Sequence, residues 1–407
     1  HVEAARDTGV RLVGDARLAA GALVGQLMYP GGGTSDVELP FHSRDRYPAL
    51  RAWPTDWRQQ GLDLEMNRYS YREPQDQPDG WPVTSAEVAG TDPEALESLV
   101  NAVVGGDAGI LHSVLVARGG ALVLEEYFHG YRPDDLHPLR SCTKSVSSLL
   151  VGLAIETGSI SSEESLVAGF FTDLEPEEAV GHGWDSLTLR DILTRTIALD
   201  SSRADADNLP GTGPDFVRRV LSRSVSGTPG EDWDYVSANV NLLAGVIHQA
   251  TGQHAEDFAR QTLFEPLGIR TWDWEGMKTD GYNLMDGSLE LRPRDMAKLG
   301  QVVASGGTWG EVELVAGDWV ERSTKWSVDT RERFEGYAYL WWKTAMTGSG
   351  GERLEATVAN GWGSQFIIVV PALDLVVVTT GGNDYNGKHM AVLPLVRELV
   401  RSVSARL

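Results

Sequence analysis

The order of apolar and polar positions divides the chain into stretches with different periods. Residues 1–28 are rich in Ala and Leu and read as a helix, which PGGG at 30–33 stops. Residues 34–85 are crowded with Pro, Trp, Tyr and Asp and follow no clear period; they read as an irregular extension wrapped on the body. From residue 91 the pattern becomes regular. TDPEALESLVNAVVGG at 91–106 predicts a helix, with Thr91 as N-cap, Pro93 in an early helical position and the glycines as its stop. HSVLVARGGALVLEEYFHG at 112–130 predicts two strands that turn at Gly119-Gly120.

Between residues 141 and 330 the period is helical. One helix is expected near Thr188, with Asp191 placed for a capping box, others after Pro214, Tyr235 and His254, and another from Pro293 to a stop at Gly306. Strand signals return in YAYLWWKT (337–344), SQFIIVVP (364–371) and LDLVVVTTGG (373–382), and MAVLPLVRELVRSV (390–403) reads as a closing helix. Strands at both ends with helices between them predict an α+β fold, its sheet assembled from both chain ends around an inserted helical domain. The expected units are an extension over 1–85, a sheet domain from 86–140 plus 331–407, and a mainly helical domain over 141–330.

Composition narrows the function classes. The chain has 407 residues, 42% of them hydrophobic, which is ample for a core and suggests two folding units or one large unit with an insertion. A net charge of −23, spread along the chain, argues against nucleic acid and anionic membrane surfaces as partners. The single cysteine rules out an internal disulfide and a cysteine-based metal site, and no HExxH, GxGxxG or GxxxxGK[ST] is present, so no metal or cofactor is expected. The most apolar candidate span, LAAGALVGQLM at 18–28, is too short to cross a bilayer. A chain starting at His1 leaves room for a leader or anchor cut away upstream. The compartment therefore stays open between a bacterial extracytoplasmic one (periplasmic or secreted) and the cytoplasm.

The chemistry gathers in HPLRSCTKSVSSLLVGLAIETG, residues 137–158. Ser141 and Lys144 form S-x-x-K, neighbours on one face if a helix begins here. Val146, Leu149, Leu150 and Leu153 make the apolar stripe of that helix. Cations are disfavoured at helix N-termini and expensive in cores, so a lysine in this place suits an amine that works as a base. The free N–H groups of the helix start favour a developing oxyanion. Six lysines and a serine frequency of about 7% make a chance S-x-x-K somewhere in the chain about one in three, so the motif needs support. Tyr235, just before an expected helix, can share a proton with Lys144 and pass it to a leaving group; alone it would read as a core aromatic. NGWGSQFIIVVP at 360–371 is a Gly-rich turn feeding an apolar strand, where a substrate could approach the backbone closely.

In this order the three elements resemble the penicillin-recognising serine hydrolases, which include class C β-lactamases, DD-peptidases, family VIII esterases and nylon-oligomer (6-aminohexanoate dimer) hydrolases. The resemblance covers roughly residues 83–405 and includes LHSVLVARGGALVLEEYFHGY and LFEPLGIRTWDWE. It implies a β-lactamase/transpeptidase-like fold, an antiparallel sheet flanked by N- and C-terminal helices with an inserted all-helical domain. It also implies an acyl-enzyme on Ser141, with Lys144 and Tyr235 as the acid–base pair, and an oxyanion held by the backbone N–H groups of Ser141 and Trp362. Tyr-x-Ser at 235–237 is more similar to the nylon-oligomer hydrolase branch than to β-lactamases, which have Asn where Ser237 stands. The family's Lys/His-Thr-Gly is replaced by Gly361-Trp362-Gly363-Ser364-Gln365, similar to the W-x-G of family VIII esterases. That removes the cation that grips a β-lactam or peptide carboxylate, so β-lactamase activity is expected to be weak or absent. Ser237, Asn239, Gly361, Gly363 and Gln365 are the expected substrate-binding residues.

Three other readings compete with this one. A Ser-His-Asp hydrolase would need G-x-S-x-G, which is missing. A cysteine hydrolase would need Cys142 to pair with a histidine, the nearest in sequence being His137. The third is a non-catalytic, penicillin-binding-like binding or scaffold protein. The expected partner is a small ester or amide, with residues 200–215 lining the cleft; the extension is read as a cleft cover or a contact of a homodimer.

Overall fold

The computed structural model describes residues 11–19, 22–28, 34–40, 69–172, 183–197, 216–225, 228–231, 233–274, 282–325, 328–330, 334–384 and 386–406. The expected N-terminal helix is replaced by an antiparallel meander of β1 (Arg11–Ala19), β2 (Ala22–Met28) and β3 (Thr34–Pro40). Gly14, Gly21 and Gly25 interrupt the Ala- and Leu-rich stretch, and each costs a helix about 1 kcal/mol relative to Ala. Residues 41–68 and 200–215 lie outside the described residues. The end of the extension does lie on the body: Tyr69 and Trp81 are buried, and Val83 bridges to Leu122.

α1 (Pro93–Gly105) starts one residue later than its expected cap. Asp92 accepts from the Glu94 N–H, Thr91 is buried, and Gly106 ends the helix in left-handed backbone at φ 86°. β4 (Leu111–Arg118) and β5 (Ala121–Tyr127) form the expected hairpin. Gly119 and Gly120 both have positive φ, the requirement of a tight two-residue turn. β6 (His137–Pro138) leads into α2 (Cys142–Glu156), and α3 (Leu189–Thr194) carries the full Thr188–Asp191 capping box. α4 (Phe216–Leu221), α5 (Ser237–Val240), α6 (Leu242–Thr251) and α7 (Ala255–Ala259) follow Pro214, Tyr235 and His254 as expected. β7 (Trp272–Asp273) and β8 (Glu290–Leu291) join β6 in a small sheet. α8 (Pro293–Ala304), the short pair β9 (Thr308–Trp309) and β10 (Val312–Glu313), and α9 (Gly317–Thr324) come next.

The last strands are β11 (Val328–Asp329), β12 (Gly336–Tyr337), β13 (Trp342–Thr347), β14 (Arg353–Gly361), β15 (Gln365–Val370) and β16 (Leu375–Gly381), before α10 (Leu393–Ser404). With β4 and β5 they build one eight-stranded antiparallel sheet in the order β11-β12-β13-β14-β15-β16-β4-β5. β15 and β16 are buried along their whole length, so their unbroken apolar runs reflect cover on both faces. α8 rides so close to this sheet that a Cβ on Gly300 would stand 2.6 Å from Val376 and 2.8 Å from Ile367. YAYLWWKT is two strands rather than one. Leu340 adopts φ 60° between β12 and β13, and the Ala338 N–H reaches the Trp341 carbonyl.

Candidate active site

The chain enters α2 through a strained link. Leu139 is tied to Leu289 by its backbone N–H, and Arg140 takes left-handed backbone at φ 51°, which costs a non-glycine residue about 1–3 kcal/mol. Ser141 follows as the N-cap, partly exposed, while every residue from Cys142 to Ala154 is buried. The serines of this helix anchor it sideways: Ser145 donates to the Leu340 carbonyl and Ser147 to the Met285 carbonyl.

Lys144 is almost fully buried, and its Nζ is 3.0 Å from Ser141 Oγ. The amine also donates to the Asp286 carbonyl at 2.6 Å, while the Asp286 carboxylate stands off at 3.9 Å. Asn241 fixes that loop by accepting from the Asp286 N–H through its Oδ1. Tyr235 lies beside the amine, its ring centroid 5.4 Å from Lys144 Nζ. Trp342 stacks on this ring at 5.5 Å, and Tyr337 meets it edge-on. Lys144 thus lies between its helix neighbour Ser141 and Tyr235, a residue about ninety positions further along the chain. Asp286, Asn241 and Arg195, which also touch this corner, carry no motif that sequence reasoning could have used.

The Gly-rich turn is the loop between β14 and β15, where Gly361 pairs with Gln365. A side chain at Gly361 would collide with the Leu139 carbonyl and stand 3.1 Å from Arg140 Cβ, so β14 ends against the approach to Ser141. Cys142 Sγ donates to the Gln365 carbonyl at 3.3 Å and fastens the helix start to β15. Gly363 has φ 85°, and a Cβ there would press on Asp384 at 2.8 Å. Trp362 is 53% exposed and stacks on His389 at 5.1 Å.

The structure separates the expected substrate-binding residues. Ser237 opens α5 and is half-buried, whereas Asn239 is buried. Gln365 is buried and spends its amide as a brace, donating to the Trp362 and Gly381 carbonyls and accepting from the Gly381 N–H. Cys142 is a packing residue: burial holds its thiol well above the usual range. His137 is engaged elsewhere, its Nε2 lying 2.7 Å from His112 Nδ1. Among the described residues, no cluster of His, Cys, Asp or Glu could hold a metal ion.

The chain matches the Beta-lactamase family over residues 104–400, well over half its length. It belongs to the beta-lactamase family. One member similar to it is the 6-aminohexanoate-dimer hydrolase of Paenarthrobacter ureafaciens, 27% identical over 223 residues that cover 51% of this chain and 55% of that protein. Another is the lovastatin esterase of Penicillium rubens, 26% identical over 44% of this chain and 49% of that one. The chain spans about half the length of each of these two relatives. Among solved structures, a putative 6-aminohexanoate-dimer hydrolase from Bacillus anthracis aligns with a TM-score of 0.61 at 16% identity, covering 83% of this chain and 92% of that one. A penicillin-binding protein homolog from Caulobacter crescentus has the same score and identity over 78% and 99%. These likenesses agree with the α+β fold built here: a large antiparallel sheet with helices packed against it.

Proposed function

We propose that the protein is a serine hydrolase that cleaves an ester or amide bond of a small substrate through an acyl-enzyme on Ser141. The observation that carries this reading is the 3.0 Å contact between Lys144 Nζ and Ser141 Oγ at the start of a buried helix. Ser141 Oγ attacks the substrate carbonyl and its proton passes to Lys144. Tyr235 delivers a proton to the leaving group and recovers one from Lys144. The N–H groups of Ser141 and Trp362 hold the oxyanion; the abutment of Gly361 on Leu139 supports that assignment. Water then enters, and the same groups run in reverse to free the acid.

The relatives named above support an ester or amide rather than another bond. The replacement of Lys/His-Thr-Gly by Gly361-Trp362-Gly363 removes a carboxylate grip, so β-lactams are poor substrates in this reading. Ser237, at the first turn of α5, remains the residue proposed to orient substrate.

The decisive experiment is labelling with a fluorophosphonate probe alongside p-nitrophenyl ester hydrolysis. Wild-type protein is labelled at Ser141 and turns over the ester, and Ser141→Ala loses both, with a drop of at least about 10³-fold in rate. Folded wild-type protein that is neither labelled nor active would sink this reading in favour of a binding or scaffold role. Nitrocefin turnover slower than that of short-chain esters is the companion expectation; fast nitrocefin hydrolysis removes the argument drawn from the Gly361–Gly363 turn.

A further inference from the structure

The C-terminal end of α3 delivers a residue that the mechanism above leaves unused. Arg195 caps α3 in left-handed backbone at φ 62°, its N–H bonded to the Asp191 and Ile192 carbonyls. Its side chain is buried, and the guanidinium carbon lies 3.7 Å from the centroid of the Tyr235 ring. That is well inside the range of about 6 Å over which a cation is attracted to a ring face. Two further contacts strap Arg195 to the same strand of chain. Its Nε reaches the Asp234 carbonyl at 3.4 Å, and the Asp234 N–H donates to the Arg195 carbonyl at 3.1 Å.

Among the described residues no carboxylate pairs with this buried charge. Both terminal nitrogens are buried, and the phenol of Tyr337 is the polar side chain beside the guanidinium. A buried guanidinium with no carboxylate to balance it costs more than one ring contact returns. The charge is felt by its neighbours: burial pushes the Tyr337 phenol well up, and Arg195 beside it acts in the opposite direction. Among the described residues, the groups facing the Tyr235 ring include Lys144 from α2, Arg195 from α3 and the Tyr337 phenol from β12, together with the uncharged rings of Trp233 and Trp342. The Asp286 carboxylate lies against Lys144.

We propose that Arg195 is a positioning residue for the acyl-transfer reaction: it fixes the ring of Tyr235 and stabilises the negative charge that develops on its oxygen as it protonates the leaving group. The proposal rests on the reading of Ser141, Lys144 and Tyr235 given above. The step balances as follows. The bond from Ser141 Oγ to the carbonyl carbon forms and the bond to the leaving group breaks. The Ser141 proton moves to Lys144, Tyr235 gives its proton to the leaving group, and Lys144 restores it. Arg195 exchanges no proton.

The test compares two esters of the same short acid, one with a p-nitrophenol leaving group that departs without a proton and one with an alkyl alcohol that needs one. In Arg195→Met, kcat/KM for the alkyl ester falls about 30- to 100-fold, with the loss in kcat rather than KM, while the p-nitrophenyl ester loses less than about threefold. Arg195→Lys recovers most of the alkyl-ester rate. Equal losses on both esters, or a Lys variant no better than Met, would show that Arg195 only packs. If Arg195→Met does not fold, Arg195→Gln is read by the same criteria. Fluorophosphonate labelling of wild type separates the two readings. An unlabelled, inactive wild type overturns acyl transfer itself. A labelled, active wild type whose variants show no leaving-group dependence overturns only the role of Arg195.

Discussion

Lys144 and Lys298 are both almost completely buried, yet the chain treats them in opposite ways. Lys298, on α8, sits between Asp79 at 3.2 Å and Asp295 at 3.5 Å, and donates to the Leu267 carbonyl as well. Arg294 beside it pairs with Asp79 and Glu125, each at 2.9 Å, and Arg292 closes on Asp295 at 2.7 Å. Burial raises Asp295 above the usual carboxylate range, and Arg292 and Lys298 pull it back. Lys144 has one backbone carbonyl, one hydroxyl and a carboxylate held at 3.9 Å. The network behind the sheet sets each buried cation beside carboxylates and thereby ties the extension to the body through Asp79. The α2 corner leaves its cation loosely matched beside a hydroxyl. The first arrangement commits its cation to holding the fold, whereas the second keeps Lys144 within hydrogen-bond reach of the Ser141 hydroxyl.

Exchanging each lysine for methionine should separate these roles. Lys144→Met is expected to lower kcat/KM on short-chain esters by about 10³- to 10⁴-fold, some 4–5.5 kcal/mol of barrier, and to leave thermal stability unchanged or raised. Steady-state kinetics with a melting curve checks both halves, and a large drop in Tm would show that Lys144 also holds the fold. Lys298→Met takes one of two cations from each of Asp79 and Asp295, which keep Arg294 and Arg292, and should cost about 1–3 kcal/mol of stability in chemical denaturation. Its kcat/KM per folded molecule should match wild type; a selective loss of activity would merge the two regions.

A third cluster sharpens the contrast with two histidines held below their ordinary range. His112 is held well below the ordinary histidine value, first by burial and then by His137 and His129, and burial lowers His129 as well. The unfolded chain takes up these protons near pH 6.5 and the folded chain does not. Stability is therefore full above about pH 6.5 and declines as the pH falls below it, by at most about 1.4 kcal/mol per pH unit for each such group. Tm measured from neutral to mildly acidic pH follows this decline, and His112→Gln flattens it. An unchanged slope in that variant would assign the acid sensitivity elsewhere.

The sequence carried the parts of this molecule whose cause is local. Thr188 with Asp191, Gly119-Gly120, Pro293 and the apolar runs of β15 and β16 each dictate an element within a few residues, and the structure has them. Ser141 and Lys144 stood out because a helix start places them on one face, and Tyr235 joined them as a candidate through the order of elements that resembles the family. The N-terminal meander was hidden because Ala and Leu favour a helix until long-range pairing decides otherwise. β14 was missed because Ala356, Thr357, Ala359 and Asn360 dilute its strand signal. The break at Leu340 has no Gly, Pro or Asn to announce it. Arg195, Asp286 and Asn241 were invisible for a different reason: each reaches the site from a separate element, and nothing in their own neighbourhoods records the meeting.

Cys142 deserves one more use. It is the chain's sole thiol, and it is wedged where α2 meets β15, next to Ser141. A thiol reagent in solution can reach it only when that junction parts. Its modification rate is therefore a clock for the opening of the seam between helix and sheet, readable with no introduced label and no competing background. Slower modification in the acylated protein would mean that holding an acyl group clamps the seam shut.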